Sequence, residues 1–133
     1  MQNFAKTYHL PFPPETTYAH WIADTTVIAP AAAMEIDARV GGAYKLIMPG
    51  DFCMTGIFSK VEPNRALSYS WQWQGDDEIT EVRVSMAPGD GGTDLHIEHT
   101  GFESQSSFDN HAKGWDSYIE GFIQFVNEKA ESA

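Results

Sequence analysis

Hydrophobic and polar positions alternate through the middle of the chain, and the period changes near its end. Between residues 34 and 99, apolar residues recur at every second position in segments separated by RVGGAY, MPGDF, EPNRA, QGDDE and PGDGGT. A period of two marks strands buried on one face, and the intervening glycines, prolines and asparagines mark turns, so this stretch predicts an antiparallel meander. Its strands are expected at 33 to 40, 43 to 48, 52 to 61, 66 to 73, 78 to 87 and 93 to 99. Parity then assigns faces. Leu67, Tyr69, Trp71 and Trp73 share one side of their strand, Val82, Val84 and Met86 one side of the next, and Leu95, Ile97 and His99 one side of the last.

The flanks read differently. Residues 3 to 10 alternate with Phe4, Tyr8 and Leu10 on one side, which adds a seventh strand, although Lys6 breaks the pattern. Pro14 and Glu15 suit the first turn of a short helix running to about Ile22, with Tyr18, Trp21 and Ile22 on its apolar side. The stretch ADTTVIAPAAA is a connector with room for one helical turn. From about Ser107 to Lys129 the period is helical. Trp115, Tyr118, Ile119, Phe122, Phe125 and Val126 fall in one sector, opposite Lys113, Asp116, Glu120, Gln124 and Asn127. That sector must be buried, and the aromatic face of the sheet is the partner available to it. Gly114 and Gly121 sit on its shoulder, where they are expected to let the helix backbone approach a strand closely while Trp115 and Phe122 fill the space between.

Composition narrows the function classes. With 133 residues, 42% of them hydrophobic, the chain can bury one core, and a single domain over 1–133 is expected. A net charge of -11, with eight scattered Lys and Arg, argues against a nucleic-acid or anionic-membrane footprint. No run of about 18 apolar residues exists to span a bilayer. The N-terminal MQNFAKTYHLPFPP lacks the apolar core of a signal peptide, which points to the cytoplasm. Cys53 is the lone cysteine and reads as a half-buried strand residue.

Several phrases resemble one family. DARVGGAYKL at 37 to 46, GIFSKVEPNRALSYSW at 56 to 71, GGTDLHIEHTGF at 91 to 102 and HAKGWDSYI at 111 to 119 are similar to the activator of heat shock protein 90 ATPase-like family, within the START-like, polyketide-cyclase-like superfamily. The likeness runs from about Pro13 to Phe125. It implies an α+β helix-grip fold, with a seven-stranded curved antiparallel sheet wrapped on the C-terminal helix, one or two short N-terminal helices and a cavity between sheet and helix. Members of the superfamily bind lipids, polyketides or other apolar molecules, and some catalyse reactions on them. Family members often carry a second, aromatic-rich short helix before the DxRxGG phrase, where this chain has the short aliphatic ADTTVIAPAAAMEI, so the mouth of the cavity is expected to differ.

The candidate chemistry is modest. His99 shares the inward parity of Leu95 and Ile97, and His111 opens the apolar sector of the last helix, so both could face one cavity. Either could act as an acid or base near neutral pH. The alternative is that each hydrogen-bonds a backbone group and fixes the loop GFESQSSFD. No ligand spacing supports a metal, no cofactor motif is present, and the glycine pairs at 41 to 42 and 91 to 92 read as hairpin turns. Glu35 and Asp37 read as surface partners of Arg39 and Lys45, with Asp37 also placed to accept hydrogen bonds from the glycine turn. The expected cavity wall is Met48, Tyr69, Trp71, Trp73, Val84, His99, His111, Trp115, Tyr118 and Phe122. Methionine with tryptophan suits an adaptable apolar pocket. Three functions follow: binding of a small apolar or amphipathic ligand; a cyclase- or hydratase-like enzyme using His99 or His111; and a protein-interaction module, with a homodimer as one form of it. An open, dry-lined cavity favours the first, convergent polar groups the second, and a filled core with an exposed apolar patch the third.

Overall fold

A computed structural model describes residues 3–132. The elements run β1 (Phe4–Leu10), α1 (Pro14–Trp21), β2 (Ala33–Ile36), β3 (Ala43–Ile47), a 3₁₀ turn (Pro49–Asp51), β4 (Cys53–Glu62), β5 (Ala66–Trp73), β6 (Thr80–Gly89), β7 (Gly92–Thr100) and α2 (Gln105–Ser132). The strands form one curved antiparallel sheet in the order β1-β7-β6-β5-β4-β3-β2, a meander to which β1 returns beside β7. This is the helix-grip architecture that the alternating pattern and the resemblance both implied.

Parity holds in β5, β6 and β7. Leu67 and Tyr69 of β5, Val82 and Val84 of β6, and Leu95, Ile97 and His99 of β7 are almost wholly buried, facing Trp115, Ile119, Phe122 and Val126 of α2. Each such apolar side chain contributes roughly 1.5 to 3 kcal/mol by leaving water. Trp21 closes the same core from α1: its ring stacks on Trp115 at 6.2 Å and meets Phe122 at 5.3 Å, while its indole N–H donates to Tyr69 Oη at 3.4 Å. The threonine pair Thr17 and Thr93 ties α1 to β7, with Thr93 donating onward to the Phe12 carbonyl at 2.7 Å.

The structure corrects several sequence expectations. Lys6 does not interrupt β1. It shares the inward side with Tyr8, and both donate to Asp116 Oδ1 of α2, at 2.8 and 2.7 Å. The inward side of an edge strand lies beyond the helix's apolar stripe, so a charge is tolerated there when it is paired. The first meander strand ends at Ile36 rather than 40, because 37–42 forms a tight turn in which a Cβ on Gly42 would collide with the Asp37 and Arg39 carbonyls. Asp37 accepts from Arg39 Nε at 2.8 Å instead of from the turn amides. The connector 22–32 contains no helix, so α1 is the one short N-terminal α-helix among the described residues. Most of the GFESQSSFD segment belongs to α2, which starts at Gln105.

The two helix glycines also behave differently from expectation. Around Gly114 an added Cβ would meet nothing within 4 Å, so no strand approaches there. At Gly121 a Cβ would lie 2.5 Å from Ile28 Cγ2, so the close neighbour is the connector and not a strand.

Candidate functional site

Beside the first half of α2 the sheet and helix separate, leaving a cavity of about 770 Å³ open to solvent on one side. Strand alternation supplies its walls. Tyr44, Leu46 and Met48 follow one another at every second position through β3 and just beyond it, and Trp71 and Trp73 do the same in β5. The connector residues Ile28–Ala31 and the exposed Phe52 line it as well, with Phe52 stacked on Trp73 at 5.4 Å and an interplanar angle of 3°. The opposite wall is α2, including His111, Gly114, Trp115 and Tyr118. The helix-free connector thus contributes directly to the lining of the cavity.

Both ring nitrogens of each inward histidine have a hydrogen-bond partner. Indole N–H groups only donate. Trp71 and Trp73 both point theirs at His111 Nε2, at 3.2 and 3.0 Å, so that nitrogen is the acceptor and Nδ1 carries the proton donated to the Ser107 carbonyl at 2.8 Å. His99 is arranged the other way round. Its Nδ1 accepts from Trp115 Nε1 at 3.0 Å, leaving Nε2–H to meet Thr80 Oγ1 at 2.6 Å, and the threonine hydroxyl donates to the Trp71 carbonyl. Burial, helped by His111 nearby, pushes the His99 pKa down from the usual 6.5 to about 3. The backbone-anchor expectation thus holds for His111 alone, while His99 is held by side chains.

Three tyrosines cluster at and behind the cavity wall. Tyr44 stacks on Tyr69 at 4.5 Å, and burial holds the phenols of Tyr44, Tyr69 and Tyr118 above their ordinary value, so all three stay neutral hydrogen-bonding groups. No group of three or more metal-ligating side chains occurs among the described residues.

Of the residues expected to line the cavity, Met48, Trp71, Trp73, His111, Trp115 and Tyr118 do so. Tyr69, Val84, His99 and Phe122 lie behind the wall, fully buried in the core. They are inward-facing but covered: His99 sits behind Trp71, His111 and Trp115, and Tyr69 behind Tyr44, while Val84 and Phe122 are fully buried in the core. Sequence reasoning missed Tyr44 and Leu46, although they share the alternation that picked out Met48. It also missed the connector and a row of polar residues on α2, Ser106, Asn110, Lys113 and Ser117. Their spacing of four, three and four was visible as a helical stripe, but nothing in the sequence said that an open space lay before it.

A long C-terminal helix gripped by a seven-stranded antiparallel sheet, with an apolar cavity between them, defines a START-like domain. The model of the family described as "Activator of Hsp90 ATPase homolog 1-like protein" matches residues 11–127, and the chain belongs to that family. Comparison with curated proteins finds no match. Among solved structures, a Mesorhizobium loti protein superposes with a TM-score of 0.87 at 20% identity, covering 96% of this chain and 98% of that one. An HSP90 activator from Plasmodium falciparum gives 0.81 at 16% identity, covering 96% and 97%. The Aha1 dimer from Colwellia psychrerythraea gives 0.77 at 17% identity, covering 95% and 96%. At such identities the likeness establishes the fold. No helix among the described residues is long and apolar enough to cross a membrane.

Proposed function

We propose that this protein binds a small apolar or amphipathic molecule in the cavity between its sheet and α2. The observation carrying this reading is the cavity itself, about 770 Å³ and walled by Trp71, Trp73, Trp115, Met48 and the aliphatic connector, a size and lining suited to a small ligand. The state of the histidines supports binding rather than acid–base catalysis. Both nitrogens of His99 and of His111 are already engaged, and His99 is out of contact with the open space. A general base needs a free nitrogen within reach of a substrate proton. A homodimer is proposed only by analogy with the Colwellia relative described as a dimer.

The open space at Gly114 supplies the test. Gly114 lines the cavity and a Cβ there meets open space, so Gly114→Leu is expected to fill part of the cavity. The wild-type protein is expected to bind the neutral dye Nile red and to show quenched tryptophan emission, while Gly114→Leu stays folded and loses most of that binding. Equal binding by the two folded proteins would place the dye elsewhere and remove the cavity reading.

A further inference from the structure

The two long walls of the cavity are chemically unlike. Ser106, Asn110, Lys113 and Ser117 form one stripe of α2, and among the described residues none of their side chains has a hydrogen-bond or ion-pair partner. At 1.5 Å per residue the stripe runs for about 16 Å. Facing it are Ile28–Ala31, Leu46, Met48 and Phe52, with no charge among them. Of the protein's eight Lys and Arg, Lys113 alone lines this space.

Acids near Lys113 are engaged elsewhere. Asp116 accepts from Lys6 and Tyr8, and Asp109 from Gln105 Nε2 at 2.9 Å. Glu78 holds the start of α2, accepting from the Glu103 N–H at 2.7 Å and from Ser107 Oγ. Asp76, the one acid lining the cavity, accepts from the Glu78 N–H at 2.9 Å within its own turn. Among the described residues Lys113 thus has no ion-pair partner, and it is the one cation lining the space, flanked by an amide and hydroxyls, with Asp76 the one anion.

Building on the ligand-binding reading, we propose that the ligand is an amphipathic carboxylate, its acid group at Lys113 and Asn110 and its hydrocarbon laid against the connector, Met48 and the paired tryptophans. One ammonium without an arginine fork suits a singly charged carboxylate better than a phosphate, which draws on several donors. The apolar body leaves water against the aliphatic wall, and the head keeps contact with solvent at the mouth, as the open cavity requires.

Tryptophan-emission titrations at pH 7.5 with dodecanoate, methyl dodecanoate and dodecyl phosphate, each below its aggregation threshold, test this. Dodecanoate should bind roughly five- to tenfold more tightly than its methyl ester, the range for a partly exposed charge-assisted contact. Lys113→Gln should bring the acid down to the level that the same variant shows for the ester, and Lys113→Arg should restore the advantage of the acid. Equal affinity of acid and ester, an advantage surviving Lys113→Gln, or tighter binding of dodecyl phosphate would each overturn the carboxylate assignment while Nile red binding still upheld the cavity. If neither the dye nor any dodecyl compound bound, the cavity reading would fall and this assignment with it.

Discussion

His99 shows how much one residue's surroundings decide. The folded protein holds its pKa near 3, against 6.5 for an ordinary histidine, mainly because protonation would put a charge in the core. The unfolded chain thus takes the proton first. His99 leaves stability intact above pH 6.5 and removes it progressively as pH falls from 6.5 towards 3, by an amount on the order of a few kcal/mol. Denaturant unfolding followed between pH 7.5 and 4 should therefore show a steeper loss in the wild type than in His99→Gln, whatever the two stabilities are at pH 7.5. Parallel curves would mean that His99 titrates normally in the fold. Parity told from the sequence that this histidine points inward; it could not tell that Trp115 and Thr80 occupy both ring nitrogens, because those partners come from a helix and a strand that meet only after folding.

Elements were legible where one face is buried and the other wet. All seven strands and α2 follow from alternation and helical spacing, since a shift of one residue would expose a whole apolar face. Legibility ended where a neighbour outside the element decided the outcome. Gly114 and Gly121 are the plainest case: the helical wheel treats them alike, yet one borders open space and the other touches Ile28. Gly114→Ala should stabilise the protein by about 0.5 to 1 kcal/mol through helix propensity. Gly121→Ala gains the same propensity but must displace the buried Ile28 side chain, and should fall short of Gly114→Ala by about 1 kcal/mol or more. In an Ile28→Ala background the shortfall should disappear. Urea unfolding of the wild type, the two glycine variants and the same three proteins in the Ile28→Ala background checks this. Identical effects of the two glycine substitutions in the wild-type background would show that the connector yields freely.

The whole molecule carries 19 acidic residues against 8 basic ones, and its charge pairs sit at the surface: Lys6 with Asp116, Arg39 with Asp37, Arg83 with Glu81, all half exposed or more on at least one side. Such pairs are each worth about 0 to 1 kcal/mol, whereas the surplus of negative charge repels itself across the entire compact fold. The two effects respond to salt with opposite signs. Screening weakens the local pairs a little and the global repulsion much more, because the Debye length falls from about 30 Å at 0.01 M to about 8 Å at 0.15 M, well below the span of the domain. Thermal unfolding should therefore shift upward as sodium chloride rises from 10 to about 150 mM, by an amount set by screening and indifferent to which monovalent salt is used. The same surplus predicts that DNA, RNA and anionic vesicles are not bound at physiological salt, since no cluster of cations exists to release counterions. A melting temperature that falls with salt would show that the few surface pairs, the Lys6–Tyr8–Asp116 contact of β1 with α2 foremost, outweigh the repulsion, and Lys6→Ala should then abolish the dependence.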